Sequence, residues 1–199
     1  MKSRSIYLIA VLAVGLVIPL AAPGSQQKAM SQKEMMDMQM KYSTPVKEHE
    51  YLKNYAGDWT VEVKTWMQPG TEPAVEKGSM KGELIYGGRF VTCRFDGSMM
   101  GQPFMGMQVL GYDLFQKKYV GCWIDSMSTH FSMTKGSLDA TGKILTETGM
   151  WPDAMTGGIR KVRAVTTWIG DGNYKYEMYM TGPDGKEAKS MEIVYTRKV

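Results

Sequence analysis

Residues 159–197 read IRKVRAVTTWIGDGNYKYEMYMTGPDGKEAKSMEIVYTR. Two turn signals, Gly170-Asp171-Gly172 and Pro183-Asp184-Gly185, cut this stretch into three runs that alternate with a period of two, the signature of strands. If the first turn pairs Ile169 with Asn173, then Trp168 faces Tyr174, Thr166 faces Tyr176, Ala164 faces Met178 and Val162 faces Met180. Across the second turn Met178 meets Met191, Tyr176 meets Ile193 and Tyr174 meets Tyr195. One face of the three strands is then apolar throughout, while Lys161, Arg163, Lys175, Glu177 and Glu192 fall on the other. A single register that sorts three strands into two clean faces points to an antiparallel sheet.

Working back toward the N-terminus, the same alternation recurs in segments of about eight to ten residues separated by turn signals such as Asp96-Gly97 and Thr141-Gly142. Ten strands are predicted, near 58–67, 77–86, 89–97, 103–112, 118–125, 129–138, 143–150, 159–169, 173–181 and 188–197. Their short connections imply an up-and-down meander, and a meander of this length loses its edges by closing into a barrel. The predicted fold is therefore all-β: a ten-stranded antiparallel up-and-down barrel over residues 44–199. Ahead of it, Thr44-Pro45 reads as a helix cap and first turn, and Val46, Leu52 and Tyr55 share one face of a short helix ending at Gly57.

The chain opens with Lys2 and Arg4, an apolar run from Ile6 to Leu20 and the small residues Ala21 to Ser25, the layout of a secretory signal peptide over residues 1–24 cut between Ala22 and Ser25. The run is shorter than the roughly 20 residues of a membrane span, so a periplasmic or secreted mature protein without a membrane span is expected. The formal charge is +4 from 24 Lys and Arg against 20 Asp and Glu; without Lys2 and Arg4 it falls to 22 against 20, which gives no case for nucleic acid. Residues 25–43 are polar and Met-rich. Met35, Met36, Met38 and Met40 have the softness for Cu(I), but such a run more often forms a flexible tail or a helix face, and no metal or cofactor is expected. Cys93 and Cys122 lie in strands, where two buried thiols compete with one bridge.

Several motifs carry a resemblance. Gly57-Asp58-Trp59 after a short helix resembles the Gly-x-Trp start of calycin barrels, the lipocalin and fatty-acid-binding-protein superfamily. With His49, Leu52, Gly87-Gly88-Arg89-Phe90, Gly111-Tyr112-Asp113, Trp123-Ile124-Asp125-Ser126 and Tyr195-Thr196-Arg197, residues 45–199 resemble the bacterial domain-of-unknown-function family 1579 (DUF1579), grouped with calycins. The resemblance implies the barrel and no settled activity. It also implies that Arg197, like the last-strand Arg of lipocalins, packs across Trp59. The haem-binding relatives called nitrobindins use a His near the end of the barrel; this chain has none after His130, so haem is not carried over.

Two histidines and two cysteines, none clustered, exclude a zinc site of ordinary spacing. The chemistry on offer comes from strand pairing. Pairing Arg94 with Gly106, Gly106 with Asp125 and Asp125 with His130 makes a polar row, beside which Thr92, Gln108, Trp123 and Ser132 form a second. The opposite face, with Val91, Cys93, Phe95, Met105, Met107, Val120, Cys122 and Ile124, is apolar. Ordinary patterning puts the apolar face inside. Against that, Gly106, Gly121, Gly136 and Gly149 fall on the polar face, where missing side chains suit the concave side of a curling sheet. If the polar face is the lumen, Arg94, Gln108 and His130 hold the head of a small, partly apolar ligand whose body lies against Trp168, Tyr174, Tyr176 and Met178, with Trp123 and Asp125 alongside. Alternatives are a lumen enzyme using Asp125 and His130 as an acid-base pair, and an interaction domain with a packed core. A homodimer through the strands near Met105 and Val120 is a further expectation, because one apolar face is left over.

Overall fold

The computed structural model describes residues 30–153, 156–170 and 172–198. The expected signal peptide lies outside the described residues. Chain contacts divide at Met40 into two compact units, the second running from Met40 to Val199. The Met-rich stretch contributes the α-helix α1, Gln32–Ser43, with no buried residue. Its end is closed by Thr44, whose Oγ1 donates to the Met40 carbonyl at 2.7 Å. Thr44 thus finishes one helix instead of capping the next. That next helix is a 3₁₀ segment, Lys47–Tyr55, with Val46 as its extended N-cap, and it buries His49, Tyr51, Leu52 and Tyr55. Val46 is exposed, so the predicted apolar face keeps Leu52 and Tyr55 and loses Val46.

Ten strands follow: β1 Gly57–Thr65, β2 Ala74–Ile85, β3 Phe90–Met99, β4 Gln102–Asp113, β5 Lys118–Asp125, β6 Ser132–Leu138, β7 Ile144–Asp153, β8 Gly158–Trp168, β9 Tyr174–Thr181 and β10 Glu187–Arg197. Each pairs antiparallel with its sequence neighbours, and β1 closes on β10 through Trp59 opposite Arg197, so the barrel has no free edge. The registers of β8, β9 and β10 join Trp168 to Tyr174, Thr166 to Tyr176, Met178 to Met191 and Tyr174 to Tyr195, as the alternation predicts.

The hairpin of β3 and β4 departs from its predicted register. Arg94 lies opposite Met107, and Phe95 opposite Gly106, one residue away from the expected pairing. The cause is the turn. Met100 and Gly101 both take positive φ, 53° and 72°, in a two-residue connection, whereas the Gly106 pairing required an odd-numbered loop centred on Met100. A slip of one residue turns every side chain of a strand over. Val91, Cys93 and Phe95 therefore face inward, and Arg94 faces out. From β4 to β7 the polar face is the inner one: a Cβ added at Gly106 would stand 2.2 Å from the Trp123 ring. The apolar face turns outward, with Met105, Ile124 and Met133 exposed. Cys93 sits opposite Gln108 and Cys122 opposite Val109, on opposite faces of the wall, and both are free thiols, so the bridge alternative falls. Among the described residues no helix is long and apolar enough to cross a membrane.

One end of the barrel is plugged by the 3₁₀ helix. Trp59 is fully buried and donates from Nε1 to the Tyr55 carbonyl at 3.1 Å. Trp168 Nε1 donates to Tyr51 Oη at 3.0 Å, and Tyr119 Oη to the Glu48 carbonyl at 2.8 Å. The Arg197 guanidinium lies 4.1 Å from the Trp59 ring centroid and donates to the carbonyls of Ala56 and Asn54 at 2.6 and 2.8 Å.

None of the residues of α1 is buried. Within the second unit, Tyr42 stacks on the exposed Phe115 ring at 3.9 Å and Arg89 Nε donates to the Ser43 carbonyl. Deleting residues 26–42 should change stability by less than about 1 kcal/mol, a shift of a few degrees in melting temperature. A thermal melt displaced by ten degrees or more would show that the segment belongs to the folding unit.

Candidate functional site

Above the plug the lumen holds a cavity of about 330 Å³. A barrel of about eight strands is just filled by its own side chains; ten leave room. The cavity runs from the stacked pair Tyr174 and Tyr195, whose rings lie 4.1 Å apart, to the β5–β6 loop at Met127, Ser128 and His130. Met127 is half exposed, so the cavity reaches the surface at that end.

Of the residues singled out in the sequence, Gln108, Trp123 and Asp125 line the cavity from β4 and β5. Tyr174, Tyr176 and Met178 line it from β9, and His130 lines it from the loop. Two others do not. Arg94, turned out by the β3 slip, lies in a surface groove with Lys81, Asp96 and Met105. Trp168 belongs to the plug, held by Tyr51 and packed against Tyr174 at 4.6 Å. The polar row of Arg94, Asp125 and His130 is therefore not assembled. Asp125 instead accepts from Trp123 Nε1 at 3.0 Å and from the Met127 amide at 2.9 Å. No hydrogen bond joins it to His130 among the described residues. The second row does form, with Gln108, Trp123 and Ser132 in register and Cys93 in the place expected for Thr92.

The residue that sequence reasoning missed is Glu147. Only 2% of its surface is exposed, and its side chain lines the cavity. Thr134 Oγ1 donates to Glu147 Oε1 at 2.8 Å, the one hydrogen bond of this carboxyl among the described residues. Burial pushes the Glu147 carboxyl above the ordinary carboxylate range, an effect that the Thr134 bond only partly offsets. Gly121 makes the space for this pair. A Cβ there would stand 2.9 Å from Thr134 Oγ1, 3.3 Å from Glu147 Oε1 and 3.6 Å from Gln108 Nε2, so three polar groups converge on a notch in an otherwise aromatic wall. The signal was present in the sequence: Glu147 lies two residues from Leu145 and two from Gly149, hence on the same face as both.

Burial likewise raises the hydroxyls of Tyr176 and Tyr195 far above the ordinary phenol range and pushes the Cys93 thiol up to about 12. These groups are neutral at physiological pH. At the mouth, Ser128 Oγ is enclosed without a hydrogen-bond partner among the described residues, a polar atom free to serve whatever enters.

The solved structures with this architecture include the crystal structure of Rv2717c from M. tuberculosis. It superposes with a TM-score of 0.57 at 13% identity, over 78% of this chain and all of that one. At that identity the likeness is one of fold. A redesigned β-barrel, b11L5F_LGL, is more distant, with a TM-score of 0.40 and 12% identity over 75% of this chain and 96% of its own. No curated protein matches the chain significantly. The profile described as "Protein of unknown function (DUF1579)" matches residues 44–197, the whole of the barrel with its 3₁₀ plug, and the chain belongs to that family.

Proposed function

We propose that the protein is an exported binding protein that carries a small, partly apolar molecule in its lumen. The observation that supports this best is the unfilled interior, a cavity of about 330 Å³ walled by aromatic rings with a few converging polar groups. A cavity of that size suits a compact ligand. A packed-core interaction domain finds no support in such a void. The acid-base alternative finds little, since both Asp125 oxygens are held by Trp123 and Met127.

The outward stripe of β4, β5 and β6, with Met105, Ile124 and Met133, supports the pairing of two copies of this chain. Its rim carries both Arg94 and Asp96, charges that a two-fold arrangement can set against each other.

Native mass spectrometry of the protein purified from its own source tests these readings together. The expected spectrum shows a chain beginning between Ala22 and Ser25, a dimer, and a small-molecule adduct that disappears on denaturation. A bare barrel that also fails to bind any small apolar probe would sink the carrier reading. An intact Met1 would sink export, and a monomer at micromolar concentration would sink the pairing.

A further inference from the structure

We propose that the molecule carried in the lumen is an amine: a compact apolar or aromatic body bearing one ammonium group that pairs with Glu147. This rests on the lumen being a binding site and names the chemistry the site selects.

Charge sets the argument. With Arg94 outside, no Lys or Arg lines the cavity among the described residues; its ionisable side chains are Glu147, Asp125 and His130, with phenols that burial keeps neutral. Of the basic residues of β8 to β10, Lys175 and Arg163 point outward into surface ion pairs with Glu177 and Glu187, Arg197 lies over Trp59 at the plug, and Arg160, opposite Trp151 near the rim, is paired with Asp153. An anionic ligand would therefore meet two carboxyls and no deep cation. An ammonium meets a carboxyl that has no internal counter-charge.

Geometry agrees. Glu147 has one oxygen engaged by Thr134 and no hydrogen bond to the other among the described residues, and the notch at Gly121 opens beside it. Gln108 borders the same notch through Nε2, and a flip of its amide would bring Oε1 there to accept from an ammonium. The same cavity is lined by the rings of Tyr174, Tyr176 and Trp123, aromatic groups that can attract a cation and whose area suits an apolar body. A bare metal ion would find a single carboxyl among rings, too few donors for any common coordination shell. An ammonium on an apolar body uses the carboxyl and the rings together. A buried carboxyl without a counter-charge is also costly to maintain, and residues of that kind cluster where a ligand completes them.

Titration calorimetry of the full chain at pH 7 with three near-isosteric probes, 2-phenylethylamine, 2-phenylethanol and phenylacetate, decides the matter. The amine should bind about tenfold or more tighter than the alcohol, with phenylacetate weakest. Glu147→Gln keeps the shape and the Thr134 bond, and it should erase the amine's advantage while leaving the alcohol within about threefold. Glu147→Asp, which restores a carboxyl, should recover part of the advantage.

An amine that binds no tighter than the alcohol, or an advantage that survives Glu147→Gln, overturns the amine proposal and leaves the lumen as a site for neutral molecules. Tightest binding of phenylacetate overturns it in favour of anions. If none of the three binds, the lumen reading fails and the amine proposal with it.

Discussion

Replacing Trp59 by Ala should destabilise the protein by about 3–5 kcal/mol, the range for deleting a large aromatic side chain from a well-packed core. Trp59 has no exposed surface, and its ring meets Tyr174 at 5.0 Å and Trp168 at 6.2 Å, both edge-on. Its indole N–H holds the last turn of the 3₁₀ helix through the Tyr55 carbonyl. On its other side the Arg197 guanidinium joins the same helix end, at Ala56 and Asn54, to the closing strand. Losing the indole therefore removes apolar burial, a hydrogen bond and a cation-π contact at the one place where the plug, the first strand and the last strand meet. For a chain of this size each kcal/mol moves the melting temperature by about 2–4 °C, so a fall of roughly 6–20 °C is expected. Arg197→Ala should cost less, about 1–3 kcal/mol, because the aromatic cluster stays packed while two carbonyls lose their donor. Denaturant melts that show Trp59→Ala within 1 kcal/mol of wild type would mean that the plug is held by the remaining rings alone.

How much of this could be read from the chain depended on turn length. The hairpins at 170–172 and at Pro183 are marked by Gly and Asp, and the registers of β8, β9 and β10 follow from them. The β3–β4 turn is marked less clearly, because Met100 takes a left-handed conformation usually given to Asn, Asp or Gly. A loop of two residues cannot be told there from one of three, and the difference decides whether Arg94 or Phe95 faces the lumen. The inner face of β4 to β7 was marked by its glycines, since Gly106 and Gly121 leave room for Trp123 and for the Glu147 and Thr134 pair. Ordinary patterning argued the other way. It assumes that the interior is apolar because it is full, and this one is not full, so polar groups of β4 to β7 can share it with aromatic rings. Trp168 shows a different limit: its face is given by alternation, but whether it meets the cavity or the plug depends on its depth along the axis, which period alone does not supply.

Glu147→Gln should make the ligand-free protein more stable at neutral pH, by about 0.5–2 kcal/mol, the gain typical of relaxing a residue kept for function. Burial raises the Glu147 carboxyl in the folded state above its value in the unfolded chain. Below the ordinary carboxyl range both states hold the proton and this group adds no pH dependence. As pH rises through that range the unfolded chain ionises first, so stability falls, and it goes on falling until pH passes the folded-state value. The amide variant has no such loss and can still accept from Thr134. The difference between variant and wild type should therefore vanish near pH 3 and open toward neutrality. Tyr51, Tyr55 and Tyr176, the phenols that sense Glu147, are neutral across this window and do not contribute. Surface carboxyls held low by their partners, such as Asp113 and Asp139, destabilise both proteins alike at acid pH and cancel in the difference. Paired denaturant melts at pH 3, 5 and 7 measure it. A variant that is less stable at pH 7, or a gap that does not depend on pH, would mean that the carboxylate is already compensated inside the barrel. In that case Glu147 would not be left over for a ligand.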